Sequence, residues 1–208
     1  MNYDILISFT FATSALAISP GPDNIYVLMQ SISHGKKAGL ATVSGLISGC
    51  LVHTTLVAFG VSVLIKENES LYLMIKILGA TYLLYLAYKV FRSDGSLHLN
   101  SESIPKKSGK QLFKQGFLMN VLNPKVSLFF LALFPGFLFS NTINEVTQFY
   151  VLGFLFMAVS FIIFSSIAIL AGSISSYIKQ HKHIGNYLKW LQIIVFVGIA
   201  VFILFSKK

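Results

Sequence analysis

The chain has 208 residues, of which 55% are hydrophobic and only 11% charged, with a formal net charge of +9. Soluble domains carry about 25% charged residues, so the composition excludes a soluble fold. It points instead to an all-α polytopic membrane protein, because each crossing takes roughly 20 apolar residues and six crossings take about 120. The lysines lie between apolar runs and form no phosphate-reaching patch, so the basic excess reads as membrane topology and not as nucleic-acid binding. The single cysteine, Cys50, leaves no disulfide framework and no redox pair within the chain.

Six apolar segments are expected in chain order. The first runs from Ile5 to about Met29 and is interrupted by Ser19-Pro20-Gly21-Pro22-Asp23-Asn24. Ala15-Leu16-Ala17 mimics a signal-peptidase site, but the start Met1-Asn2-Tyr3-Asp4 carries no positive charge, so the segment reads as a retained helix. The second segment covers Ala38–Ile65 and the third Leu71–Phe91. A basic stretch, Arg92–Lys114, separates them from the fourth, Gly116–Phe139. The fifth is expected as one helix over Val146–Ile178, and the sixth covers Leu188–Phe205. Barrel strands are excluded, since the segments lack alternation over about ten residues.

Lysine-rich loops follow segments one, three and five, and lysine-poor loops follow two and four. Retention of Lys and Arg in the cytoplasm then puts both termini outside. Lys207 and Lys208 run against this, and a five-helix topology would put the C-terminus inside. The chain reads as one transporter domain, 1–208. It divides into a three-helix repeat over 1–91, a basic cytoplasmic loop over 92–115, and a second three-helix repeat over 116–208. An odd number of crossings per repeat inverts one against the other. Secondary transporters of that 3+3 architecture carry broken helices near the midplane, here helices 1 and 4.

The breaks hold the candidate chemistry. Pro20 and Pro22 lack N–H groups and clash with a helical turn, and Gly21 between them is permissive. Backbone groups freed there must face protein or a water-lined cavity. Asp23 and Asn24 follow at once. A carboxylate at this depth serves a path or a proton step, unless the break sits at the interface and Asp23 is merely wet. In segment four, Pro124 frees a carbonyl that Asn120 or Asn123 can satisfy. Lys125 either pairs with a carboxylate or snorkels to the interface. Lys76 is expected to snorkel to the outer face. His53 either relays protons or makes an interhelical hydrogen bond. Gly45 and Gly49 form a close-packing step, and Gly60, nearly under Gly49 by helical phase, extends that face. His181 and His183 read as solvated turn residues. No metal site, cofactor site or enzyme motif is recognised.

These blocks resemble the LysE/RhtB family of amino-acid exporters. Ser19–Asn24 is similar to its first-helix signature, and Gly35, Gly39, Gly45 and Gly49 to its glycine ladder. Lys76, Gly79-Ala80 and Tyr82-Leu83 are similar to its third-helix pattern. Gly116, Asn120, Asn123-Pro124-Lys125, Phe129-Phe130 and Pro135-Gly136-Phe137 are similar to its fourth-helix block. The likeness is diffuse after Phe139. Gly136 and Ala87 depart from the family's usual glutamine and glycine. The resemblance implies export of an amino acid or close derivative across a bacterial inner membrane, driven by the membrane gradient. The residues themselves add proton coupling through Asp23 as the expected mechanism. The partners are then an amino acid, protons and the lipid bilayer, with no nucleic acid, and a homo-oligomer is open. The alternative is a gradient-driven transporter or channel for another small solute or a metal ion.

Overall fold

A computed structural model describes residues 2–61, 69–94, 105–181 and 184–205. Much of the expected basic loop 92–115, together with Lys66, Lys182, His183, Lys207 and Lys208, lies outside these residues. Among the described residues every regular element is helical: α1 (Tyr3–Ile18), α2 (Pro22–His34), α3 (Lys36–Leu56), α4 (Glu69–Arg92), α5 (Gly109–Val121), α6 (Pro124–Leu133), α7 (Glu145–Ile169), α8 (Ala171–Gln180) and α9 (Ile184–Phe205). A π-helical turn, Val57–Val61, extends α3, and a 3-10 turn, Phe134–Phe137, extends α6. Among the described residues four helices are long and apolar enough to cross a membrane. Six crossings result when α1–α2, bent by 58°, and α5–α6, bent by 51°, each count as one.

Local chemistry sets the boundaries. Asn2, Ser108, Asn123 and Asn144 are N-caps whose side chains accept backbone N–H groups, and Ser108 and Gln111 form a reciprocal capping box. Gly35, at φ +84°, joins α2 to α3 through a single residue, a conformation open to glycine and strained for others. The expected single helix over Val146–Ile178 is instead broken at Leu170 into α7 and α8. At 1.5 Å per residue a straight helix of that length would reach about 50 Å, well beyond the roughly 30 Å hydrocarbon layer. The chain therefore turns, and α8 packs back on α2.

The ends of the crossings pair as six spans require. Asn2 N–H donates to the Phe139 carbonyl at 2.9 Å, and the Phe137 ring stacks on Phe202 at 4.8 Å. The start of α1, the end of the α5–α6 span and the end of α9 thus share one side. On the other side, Lys189 Nζ donates to the Ser93 carbonyl at 2.7 Å, and Trp190 meets Phe91 edge-on. Large apolar side chains such as Phe11, Leu122, Ile162 and Ile194 are exposed, as a lipid-facing surface requires.

Two packing arrangements hold the spans. The α3/α5 contact is made by glycine: a Cβ on Gly45 would run into the Phe113 carbonyl, one on Gly116 into the Thr42 carbonyl, and one on Gly49 would lie 2.8 Å from Asn120. Gly60 does not continue this face, since nothing lies within 4 Å of its Cβ position. The wider π turn at Val57–Val61 carries an extra residue and rotates the chain out of phase. The second arrangement is aromatic. Phe9, Phe129, Phe130, Phe134 and Phe156 join α1, α6 and α7, with Phe130 stacked on Phe134 at 4.1 Å and Phe156 edge-on to Phe130 at 4.8 Å.

Gln148, 1% exposed, uses its whole amide to hold the turn before α7. Its Oε1 accepts from the N–H groups of Phe139 and Ser140, and its Nε2 donates to the carbonyls of Ser140 and Ile143. Gln148→Leu keeps the volume and orphans four backbone groups. It is expected to destabilise the protein by about 2–4 kcal/mol, read as a clear drop in Tm in detergent. A Tm unchanged from the parent would contradict this role.

Candidate functional site

At the first break, Ser19 N–H makes the last backbone bond of α1, to the Ala15 carbonyl at 3.0 Å. The missing N–H groups of Pro20 and Pro22 leave the helical ladder without donors. Asn24 Nδ2 reaches back across the gap to the Ala17 carbonyl at 2.7 Å. Gly21 caps α2, which places Asp23 in its first turn, buried at 8% exposure.

At the second break, Pro124 has no N–H to offer the Asn120 carbonyl. Asn123 N–H takes that acceptor at 3.0 Å, and His53 Nε2 lies 3.1 Å from it. A carbonyl only accepts, so Nε2 carries the proton. His53 therefore makes the interhelical bond, and its other side rests in a separate cleft with Phe130. It does not line the cavity described next.

Asn123 ties the breaks together. Its Oδ1 accepts Lys125 N–H at 3.0 Å, capping α6, and its Nδ2 donates to Asp23 Oδ2 at 3.0 Å. Lys125 does not snorkel outward. Its Nζ lies 4.9 Å above the Phe196 ring of α9 and 3.5 Å from where a Gly21 Cβ would sit. There its charge acts on the Asp23 carboxylate. Asp23, Asn24, Asn120, Asn123 and Lys125 line one cavity of about 30 Å³.

The arrangement has a simple electrostatic logic. Pro22-Asp23 and Pro124-Lys125 occupy the first turns of two half-helices whose N-termini meet at the cavity. A helix N-terminus carries partial positive charge. The Asp23 carboxylate is favoured by it, and Lys125, disfavoured by it, is offset by Asp23. One cavity thus presents an anion, a cation and two bundles of helix-end N–H groups. Asn120 Oδ1 and Ser160 Oγ add buried polar atoms without a protein partner; the Cys50 thiol lies beside Asn120 but is directed at the Leu46 carbonyl at 3.6 Å.

Sequence reasoning missed the α7 wall of the cavity, Phe156, Ser160 and Phe164, and the role of Cys50 as lining. A lone serine in an apolar run carries no pattern that would single it out. Lys76 is buried at 6% exposure and not extended to the outer face. Asn24, expected in the site, is there, but its amide nitrogen is committed to the Ala17 carbonyl.

Residues 14–207 match the family model described as LysE type translocator. A relative from Salmonella typhimurium, strain LT2, named homoserine/homoserine lactone efflux protein, is 29% identical over 88% of this chain and 87% of its own length. A protein of the same name from Salmonella typhi is 30% identical over the same shares. No solved structure matches the chain. With its match running from the first broken helix to the last, the chain belongs to the LysE type translocator family and is a multi-pass membrane transporter, not an enzyme.

Proposed function

We propose that the protein exports an amino acid or close derivative, of homoserine-like size, from the bacterial cytoplasm across the inner membrane. The observation that carries this reading is the opposed pair Asp23 and Lys125, held on two broken helices by Asn123 around one cavity. An amino-acid zwitterion has the matching charges: its ammonium suits Asp23, and its carboxylate suits Lys125 and the helix N-termini. The names of the two relatives support the same class of cargo. A cavity of about 30 Å³ holds about one water. The breaks must part to admit an amino acid, and the two bends are the natural hinges.

The matching of Pro22-Asp23 with Pro124-Lys125 supports an inverted repeat of 1–91 and 116–208, in which one half rocks against the other. Asp23 couples export to the proton gradient, because a carboxylate whose surroundings alternate changes its proton affinity. The side bearing Lys36, Lys37, Arg92 and Lys110 faces the cytoplasm, with both termini outside. Lys110 and Asn141 are exposed on opposite sides. Single cysteines there, in intact cells, are expected to react with an impermeant thiol reagent at position 141 and not at 110. The opposite pattern would invert the orientation.

Purified protein in liposomes, loaded with labelled amino acids one at a time and given a pH gradient, tests the function. Homoserine or a similar small amino acid is expected to move against its concentration. Failure of the whole panel, with transport of a metal ion or an uncharged solute, would overturn the reading.

A further inference from the structure

The cavity accounts for one end of α2, and the rest of that helix carries a feature that substrate binding does not explain. Asp23, Tyr26, Gln30 and His34 recur at intervals of three, four and four, so they form one stripe on α2. The stripe runs from the break to the turn at Gly35. Gln30 is 1% exposed, and neither atom of its amide has a protein partner. The Tyr26 hydroxyl and His34 Nδ1 are likewise buried and unpartnered. Val27, beside the stripe, is fully buried in one apolar cluster with Val43 and Leu46 of α3 and Phe164 and Ala168 of α7, so this side of α2 faces the interior. Ile25, on the opposite side, is exposed.

Buried polar groups are normally paired. Four unpaired atoms in line with Asp23 are unfavourable in this conformation and are explained if the stripe is wetted in another. On the far side of the cavity the way is closed by rings, since Phe156 both lines it and packs on Phe130 and Phe134. We propose that the Tyr26–Gln30–His34 face of α2 lines the cytoplasmic half of the transport path, opening when α2 swings about the Pro20–Pro22 break. This rests on the transport reading above and assigns the route by which substrate and protons reach Asp23.

Thiol accessibility tests it. Tyr26→Cys, Gln30→Cys, His34→Cys and Ile25→Cys are made one at a time in a Cys50→Ala parent, because Cys50 lines the cavity to which the path leads, and are assayed in inside-out vesicles. A hydrophilic cationic methanethiosulfonate is expected to modify positions 26 and 30 at least tenfold faster than position 25, and saturating homoserine to slow it. Ile25→Cys is expected to stay at background. Positions 26 and 30 at background, or no faster than 25, would overturn the proposal. If Gln30→Cys does not reach the membrane, position 26 alone decides. In the second arm, Gln30→Leu is expected to lower homoserine flux at least tenfold with equilibrium homoserine binding unchanged, and unchanged flux would overturn the proposal. Labelling needs no knowledge of the cargo. A parent that carries no amino acid yet shows the labelling pattern would sink the amino-acid reading and leave the path standing.

Discussion

Asp23→Asn is expected to abolish uphill export driven by a pH gradient while leaving a folded protein in the membrane. The asparagine keeps an oxygen where Asp23 Oδ2 accepts Asn123 Nδ2, so the bridge between the breaks survives. What it removes is charge and titration. Among the described residues, Asp23 is the acidic residue set within an apolar segment, since Glu69 and Glu145 open helices, Asp94 follows the end of α4 and Asp4 opens α1; Glu67 and Glu102 lie outside the described residues. Losing the partner of a buried ammonium costs about 2–5 kcal/mol, so homoserine affinity is expected to fall between roughly thirtyfold and a few thousandfold. Exchange at equal pH is expected to persist at raised substrate concentration, because it moves no net proton. The measurement is labelled flux in liposomes with and without a pH gradient. Gradient-driven export by D23N at the parent rate would reduce Asp23 to a structural cap.

Lys125→Met is expected to do comparable damage through the other end of the substrate. Methionine keeps an apolar stem against Phe196 and removes the charge above it. Two consequences separate. The substrate carboxylate loses its cation, and Asp23 is left as an uncompensated buried charge, the costly half of a broken pair. The double variant Asp23→Asn with Lys125→Met relieves only the second. It is expected to recover much of the thermal stability that Lys125→Met loses, and none of its transport. Lys125→Arg is expected to be impaired as well, because the broader guanidinium has little room in a cavity of about 30 Å³. Full transport by Lys125→Met would remove the lysine from the site.

The membrane fold is legible in the composition, since low charge and long apolar runs leave no soluble alternative. The breaks are legible because proline removes donors wherever it stands. That Pro20–Pro22 and Pro124 line one cavity is a tertiary fact, made by Asn123 reaching across a hundred residues to Asp23. His53 shows the same limit. Its place on α3 is plain, but only the folded chain reveals that it fills the acceptor Pro124 leaves open. The break at Leu170 has no proline or glycine at the cap itself and follows from a helix too long for the bilayer. The loss of phase at Gly60 follows from a π turn that apolar periodicity does not announce. Lys76 and Lys125, both candidates for snorkelling, do not reach outward: Lys76 is buried, and Lys125 lies over the Phe196 ring with its charge acting on Asp23.

Equilibrium binding of two ligands to two proteins bears most directly on a cavity that reads both ends of an amino acid. Labelled homoserine and N-acetylhomoserine, which lacks the ammonium, are titrated against the parent and against Asp23→Asn in detergent. If the ammonium pairs with Asp23, acetylation weakens binding to the parent by roughly thirtyfold or more and to the variant by less than about threefold, because the partner is already gone. Equal discrimination by both proteins would contradict the pairing and, with it, the assignment of the Asp23–Lys125 cavity as the substrate site.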